Sequence, residues 1–235
     1  MFSIIKNICT NFIQSCSLCG APTRTENALC KGCFNDLPWI KHACYRCNLP
    51  LAGHERLCPE CTQHPPHFSS TQAAFVYRFP INAAINELKH KQGLQHATWL
   101  ADCLYQKISK RPQAWPQAII PVPLHRSRLL KRGFNQSLLL AQHLSQKTTI
   151  PLLANQLKKV KATENQFSLD AHHRHANLTQ AFTYIGPQLD QIVVVDDVMT
   201  TGSTLNEISK TLLDHGVKRV DVWVIARTPK PDAHF

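Results

Sequence analysis

The chain has 235 residues, 43% of them hydrophobic, which is enough to bury the core of one medium domain plus a small module and too much for a disordered chain. A formal net charge of +11 favours polyanionic partners, whether nucleic acid, phosphorylated metabolites or an anionic membrane surface, without choosing among them. No apolar run approaches the roughly 20 residues needed to span a bilayer, so no membrane span is expected.

Residues 1–15 (MFSIIKNICTNFIQS) are mildly apolar, but Lys6 interrupts the run and no basic region precedes it. They read as a short amphipathic N-terminal helix rather than a signal peptide. Cysteine pairs follow at once. Nine of the ten cysteines lie before residue 62, and eight of those form C-x-x-C pairs: Cys16/Cys19, Cys30/Cys33, Cys44/Cys47 and Cys58/Cys61. Every gap between successive pairs is ten residues. A disulfide framework or a redox pair would not call for four equally spaced pairs, and no export signal accompanies them, so the pattern points to bound metal in a reducing, cytoplasmic setting.

A tetrahedral zinc ion takes four thiolates, and two C-x-x-C turns joined by a short hairpin supply them, so eight thiolates make two structural zinc sites. The flanks suggest the pairing: CSLCGAP resembles CYRCNLP, and LCKGC resembles LCPEC. Each such unit reads as one ribbon, giving Cys16, Cys19, Cys30 and Cys33 as one site and Cys44, Cys47, Cys58 and Cys61 as the other, with cross-braced pairing as the alternative. Gly20 and Asn48 directly follow the first and third pairs and are residue types that tolerate a left-handed backbone. Cys9 and Cys103 have no partner at metal spacing and read as packing residues.

The Pro-rich stretch 63–68 marks a boundary, giving a double zinc ribbon over 16–66 and a second domain over 67–235. Residues 71–79 (TQAAFVYRF) are predicted as a strand, 81–91 and 98–109 as helices, and 118–122 (AIIPV) as a short buried strand. Residues 134–145 are helical in pattern, 176–184 extended, and 192–195 an unbroken β-branched run. Residues 203–215 form an amphipathic helix with Leu205, Ile208, Leu212 and Leu213 on one face and Gly216 as its stop. Residues 220–225 return as a strand. Fully apolar strands alternating with helices indicate an α/β fold with a mainly parallel sheet flanked by helices. Phe75, Tyr77, Phe79 and Trp99 sit at strand or helix spacing and read first as core.

The informative stretch is QIVVVDDVMTTGSTLNEI, residues 191–208, where a buried strand runs into two acids, a hydroxyl-rich loop and a helix start. That is the carboxyl end of the sheet, where α/β proteins bind ligands. Thr200, Thr201, Gly202, Ser203 and Thr204 offer hydroxyls and backbone N–H groups at a helix N-terminus, which suit a monophosphate. Asp196 and Asp197 can accept hydrogen bonds from two vicinal hydroxyls. A phosphate at one end and a diol at the other describes a ribose 5-phosphate. A Walker B strand or an acidic receiver pocket would leave the TTGST tail unexplained, and the chain has no G-x-x-x-x-G-K-[ST] loop.

VVVDDVMTTGST resembles the signature of type I phosphoribosyltransferases that binds phosphoribosyl diphosphate (PRPP), which assigns Asp196, Asp197, Val198, Met199, Thr200, Thr201, Gly202, Ser203 and Thr204 to that ligand. In that fold a loop after an earlier strand binds the diphosphate, here Pro123, Leu124, His125 and Arg126, with the magnesium that accompanies PRPP. Residues 166–182 resemble the flexible loop that closes over PRPP and place Arg174 near the diphosphate. Paired zinc ribbons, PVPLH with a following RGFNQ, Q-x-x-L with R-x-x-N-L-x-x-A-F, and VVVDDVMTTGST together resemble the ComF family of bacterial competence proteins, over nearly the whole chain.

The resemblance implies a type I phosphoribosyltransferase fold behind the ribbons and two readings of its use. In one, a PRPP-responsive protein handles incoming single-stranded DNA during natural transformation, with competence or recombination proteins as partners. In the other, a magnesium-dependent transferase passes ribose 5-phosphate to a nitrogen nucleophile and releases diphosphate, with Asp196, Asp197 and Arg174 as its catalytic candidates. A DNA-binding module on a dead transferase fold is a third option, against which the complete acid pair and TTGST loop argue.

Overall fold

A computed structural model describes residues 13–25, 27–90, 93–110, 114–160 and 181–230. Its centre is a four-stranded, wholly parallel sheet in the order β3-β8-β7-β4, built from β3 (Ser70–Val76), β4 (Ala118–Pro121), β7 (Gln191–Met199) and β8 (Arg219–Arg227). Their central stretches are apolar because both faces are covered, as a parallel sheet requires; Ile192 to Val195 and Val222 to Ala226 are buried. One face carries α3 (Ile81–Leu88), α4 (His96–Ile108) and α6 (Gln136–Thr148). The other carries Leu205, Ile208 and Leu212 of α7 (Ser203–Asp214) and the antiparallel pair β5 (Leu157–Lys159) and β6 (Phe182–Tyr184).

The amino-terminal ribbons contribute β1 (Gln14–Ser15), β2 (Pro22–Thr23), α1 (Lys31–Asn35) and α2 (Pro59–Gln63). They cover the outer edge of β3. Ile40 donates its N–H to Ala74 at 3.0 Å and Val76 donates to Pro38 at 2.9 Å, which pairs main-chain groups that an edge strand would leave open. Residues 151–153 do the same along β4, through Ile119 N–H to Pro151 and Leu153 N–H to Ile119. The ribbons straddle the β3 edge: Cys16, Leu29 and Leu37 join the core on the α3 and α4 side, and Ile40, Cys44, Cys47, Cys58 and Cys61 join the core on the α7 side.

Three local expectations change. The basic segment after β4 is no open loop but the helix α5 (Arg126–Arg132), capped by His125 and stopped by left-handed Gly133 (φ 83°). None of its residues is buried, so it carries no apolar period by which a sequence could announce it. The strand expected over 192–195 runs to Met199, because residues 196–199 keep pairing with β8; both acids therefore belong to the strand. Strand β3 stops at Val76, short of Phe79, which is 78% exposed; Phe75 and Trp99 are core as expected. The expected N-terminal helix over 1–15 and the segment 166–180 lie largely or wholly outside the described residues.

Candidate functional site

At the carboxyl end of β7 the two acids are held differently. Asp196 accepts from the Ser137 hydroxyl at 2.7 Å and from the Asp197 N–H at 2.9 Å through the same oxygen. Burial, reinforced by the neighbouring Asp197 charge, pushes the Asp196 carboxyl up to about 8. Asp197 accepts from the Val198 N–H through Oδ1 at 2.9 Å, while its buried Oδ2 accepts no hydrogen bond among the described residues and has the Lys89 ammonium 3.5 Å away. A buried carboxylate oxygen in that condition is suited to a hydroxyl donor from a ligand.

The loop after the acids turns on Gly202, which adopts φ 85° as the N-cap of α7 and offers no side chain to cap it. The left-handed φ disfavours any side chain there, and a Cβ, which would lie 2.5 Å from Met199 Cε, would also have to displace that flexible tip. Thr201 Oγ1 stands in for the missing cap, accepting from the Ser203 N–H at 3.3 Å and lying 2.9 Å from Ser203 Oγ. The result is a helix N-terminus with two hydroxyls at its mouth, a setting that favours an anion.

Three cations lie near the acids, of which only Arg132, the first residue of RGFNQ, belongs to a segment the sequence pattern had named. Lys89 is the C-cap of α3. Arg132 donates to Gln136 Oε1 at the start of α6; burial lowers its pKa, opposed by the charge of Asp197. Lys159 on β5 is lowered chiefly by burial and next by Arg128, with Asp196 opposing, and sits 5.7 Å over the Phe182 ring. No motif names Lys89 or Lys159, since each belongs to a different element and meets the acids only through the fold. Ser137 follows the N-cap Asn135, which accepts from the Ser137 N–H at 3.0 Å and donates to Val122 O at 3.0 Å, tying α6 to the end of β4. Of the expected diphosphate residues, His125 is occupied as the α5 cap, its Nδ1 accepting from the Ser127 N–H at 3.3 Å and lying 2.8 Å from Ser127 Oγ. Arg126 is the first residue of that helix. Arg174 lies outside the described residues.

The cysteines assemble as two sets, Cys16, Cys19, Cys30 and Cys33, and Cys44, Cys47, Cys58 and Cys61, the four sulfurs of each lying within 4.8 Å of one another. A tetrahedron of ~2.3 Å zinc–sulfur bonds sets sulfurs about 3.8 Å apart. The observed Cys19 to Cys30 and Cys47 to Cys58 separations are 3.8 and 3.6 Å. Backbone N–H groups point at the sulfurs, Cys30 to Cys16 at 3.3 Å, Cys33 to Cys30 at 3.4 Å and Cys61 to Cys58 at 3.5 Å, which favours thiolates. The Cys47 thiol, with the N–H groups of Cys47, Cys58 and Arg46, holds Cys44 down to about 4 against its burial. Both sets fit structural zinc. Gly20 and Asn48 take φ 73° and 53°, as their residue types suggested. Cys103 is fully buried in α4, its thiol pushed up to about 12 by burial.

The sequence of residues 11–62 matches the double zinc ribbon domain and that of 135–234 the phosphoribosyl transferase domain. With the parallel sheet and the acid-and-loop site, these define a phosphoribosyltransferase-type α/β domain preceded by two zinc ribbons. Competence protein F of Haemophilus influenzae is 37% identical over 210 residues, covering 86% of this chain and 91% of the relative. The DNA utilization protein YhgH of Escherichia coli K12 is 34% identical over 218 residues, 91% and 90% of the two chains. Competence protein ComFC of Bacillus subtilis is 23% identical over 203 residues, 82% and 81% of the two chains. The chain belongs to the ComF family of competence proteins. No helix among the described residues is long and apolar enough to cross a membrane.

Proposed function

We propose that this protein binds PRPP with magnesium at the carboxyl end of β7 and uses that ligand while handling single-stranded DNA taken up into the cytoplasm. The observation that carries the ligand is one contiguous run of chain: two strand-borne carboxylates, one with a buried oxygen that accepts no hydrogen bond among the described residues, leading into a helix N-terminus rimmed by Thr201 and Ser203. Asp196 and Asp197 accept the two ribose hydroxyls, and the loop from Thr200 to Thr204 receives the 5-phosphate. Lys89, Arg132 and Lys159 supply positive charge near the acids, and magnesium neutralises the diphosphate when PRPP is bound. Lys89 lies against Asp197, so ligand hydroxyls compete with an ammonium for that oxygen.

The DNA role is supported by the relatives named for competence and DNA utilization and by the net charge of +11. Transfer of ribose 5-phosphate to a nitrogen nucleophile is the second reading, supported by the complete acid pair. Phosphorus NMR of PRPP and magnesium with the protein, alone and with nucleobases or single-stranded DNA, separates the two. Binding without turnover is expected. Acceptor-dependent release of diphosphate makes the protein a transferase and names its acceptor class. Asp196→Ala combined with Asp197→Ala should abolish binding while leaving the zinc content unchanged; retained binding removes this site assignment.

A further inference from the structure

Arg227 ends β8 and is 7% exposed, and its hydrogen bonds go to four main-chain carbonyls. Nε donates to Cys47 at 2.9 Å; Nη1 donates to Met199 at 3.1 Å, to Thr228 at 2.9 Å and to Thr200. A guanidinium keeps its charge under all ordinary conditions, and burying it is costly unless its donors are satisfied. Here one planar cation satisfies the carbonyl of a cysteine in the second ribbon and the carbonyls that enter the phosphate loop. In a trans peptide C=O and N–H point in opposite directions. The Met199 carbonyl is held jointly by Arg227 and by the Thr228 N–H at 3.0 Å, and the Thr200 carbonyl by Arg227, so the N–H groups of Thr200 and Thr201 turn to the far side of the loop, away from the ribbon.

The second ribbon touches the loop in other ways. Its connection to β3 donates the His67 N–H to Asn206 Oδ1 on α7 at 2.7 Å, and Phe68, 2% exposed, lies 3.9 Å from where a Gly202 Cβ would stand. Cys44, Cys47, Cys58 and Cys61 are all buried and share a core with Phe68, Met199 and Leu205. Among the described residues the first ribbon makes no such connection: Cys19 is exposed, and Cys16 packs in the core on the opposite side of the sheet.

We infer that the second four-cysteine site is energetically coupled to the phosphate loop through Arg227, so that ligand binding at the loop and zinc retention by Cys44, Cys47, Cys58 and Cys61 strengthen each other, while the first site stays independent. The inference rests on the reading of the loop as a PRPP site. Arg227 is a positioning residue: it acts on the ligand through the peptide groups of Met199 and Thr200. Coupling of this kind is reciprocal in binding free energy, so it can be read from the metal side.

The test equilibrates the full-length protein against a chelator at graded free zinc, with and without saturating PRPP and magnesium, then pulse-alkylates free thiols and quantifies each cysteine peptide by mass spectrometry. The expected result is that ligand moves half-loss of protection at Cys44, Cys47, Cys58 and Cys61 to roughly 5-fold lower free zinc or less, the lower end of ordinary coupling, and leaves Cys16, Cys19, Cys30 and Cys33 where they were. Arg227→Lys, which keeps the charge but cannot bridge the Cys47 and Thr200 carbonyls, should remove the shift. A full shift in that variant overturns the role of Arg227. Calorimetry on the same wild-type sample keeps the failures apart. PRPP binding with an unmoved second site, or with both sites moved equally, overturns the coupling alone; absence of PRPP binding overturns the site reading and the coupling with it. The wild-type arm decides without any variant.

Discussion

Replacing Asn48 tests whether the second ribbon is docked on the sheet as a rigid unit. Asn48 is 4% exposed, takes φ 53°, and accepts the Ala73 N–H through Oδ1 at 2.9 Å. Asn48→Gly keeps the backbone conformation and leaves the buried Ala73 donor without its acceptor, which costs about 1–3 kcal/mol. Asn48→Ala loses the same bond and adds a left-handed Cβ worth roughly 1–2 kcal/mol, from which about 0.4–1 kcal/mol is recovered because alanine stiffens the unfolded chain. Alanine should therefore be the worse of the two by about 1 kcal/mol. Urea unfolding of the zinc-saturated proteins, followed by tryptophan fluorescence, measures both. If alanine costs no more than glycine, Asn48 is not left-handed in solution. If both fall within about 0.5 kcal/mol of wild type, the bond to Ala73 contributes nothing and the ribbon is not seated as described.

Two further outcomes follow from the loop and the acids. Gly202→Ala should lose about 1–2 kcal/mol of stability from the φ of 85° and weaken PRPP binding by tenfold or more, because relieving that backbone strain shifts the loop, while the flexible Met199 tip yields to the new Cβ; unchanged affinity by calorimetry takes the loop out of the binding site. Asp196 has its pKa raised from 3.8 to about 8 in the folded chain, so between those values the native state holds a proton that the unfolded state has lost. Its contribution is favourable below the unfolded value and is lost as pH rises through the folded one. Asp196→Asn, which keeps an acceptor for Ser137, should accordingly gain thermal stability over wild type between pH 5 and pH 9; parallel profiles would show that Asp196 ionises freely in the ligand-free protein.

Much of the site was legible because its parts are local. Four cysteine pairs at equal spacing carry the chemistry of two metal centres within about fifty residues, and their assembly as two ribbons follows from short hairpins. The acids, the TTGST loop and the helix after them are consecutive, so a strand that empties into a helix start marks a candidate ligand site without knowledge of the rest. Helix α5 was not legible, since a short exposed helix held by caps has no buried face to repeat along the chain. Nor was the extent of β7: whether 196–199 continue the strand depends on β8 lying alongside.

The sequence by itself determined the class of the fold, the metal ligands as residue types and the acid-and-TTGST stretch as the candidate site, because each is encoded in spacing or in a contiguous motif. Only the tertiary structure decided which groups meet them. Ser137 reaches Asp196, Lys89 reaches Asp197 and Arg227 reaches Cys47 across separations of 59, 108 and 180 residues, read from their positions in the chain. In the sequence Arg227 is one of 26 lysines and arginines with nothing in its neighbours to mark it. The strand order β3-β8-β7-β4 sets the end of β8 between the second ribbon and the end of β7, and burial there leaves main-chain carbonyls and a guanidinium to satisfy one another.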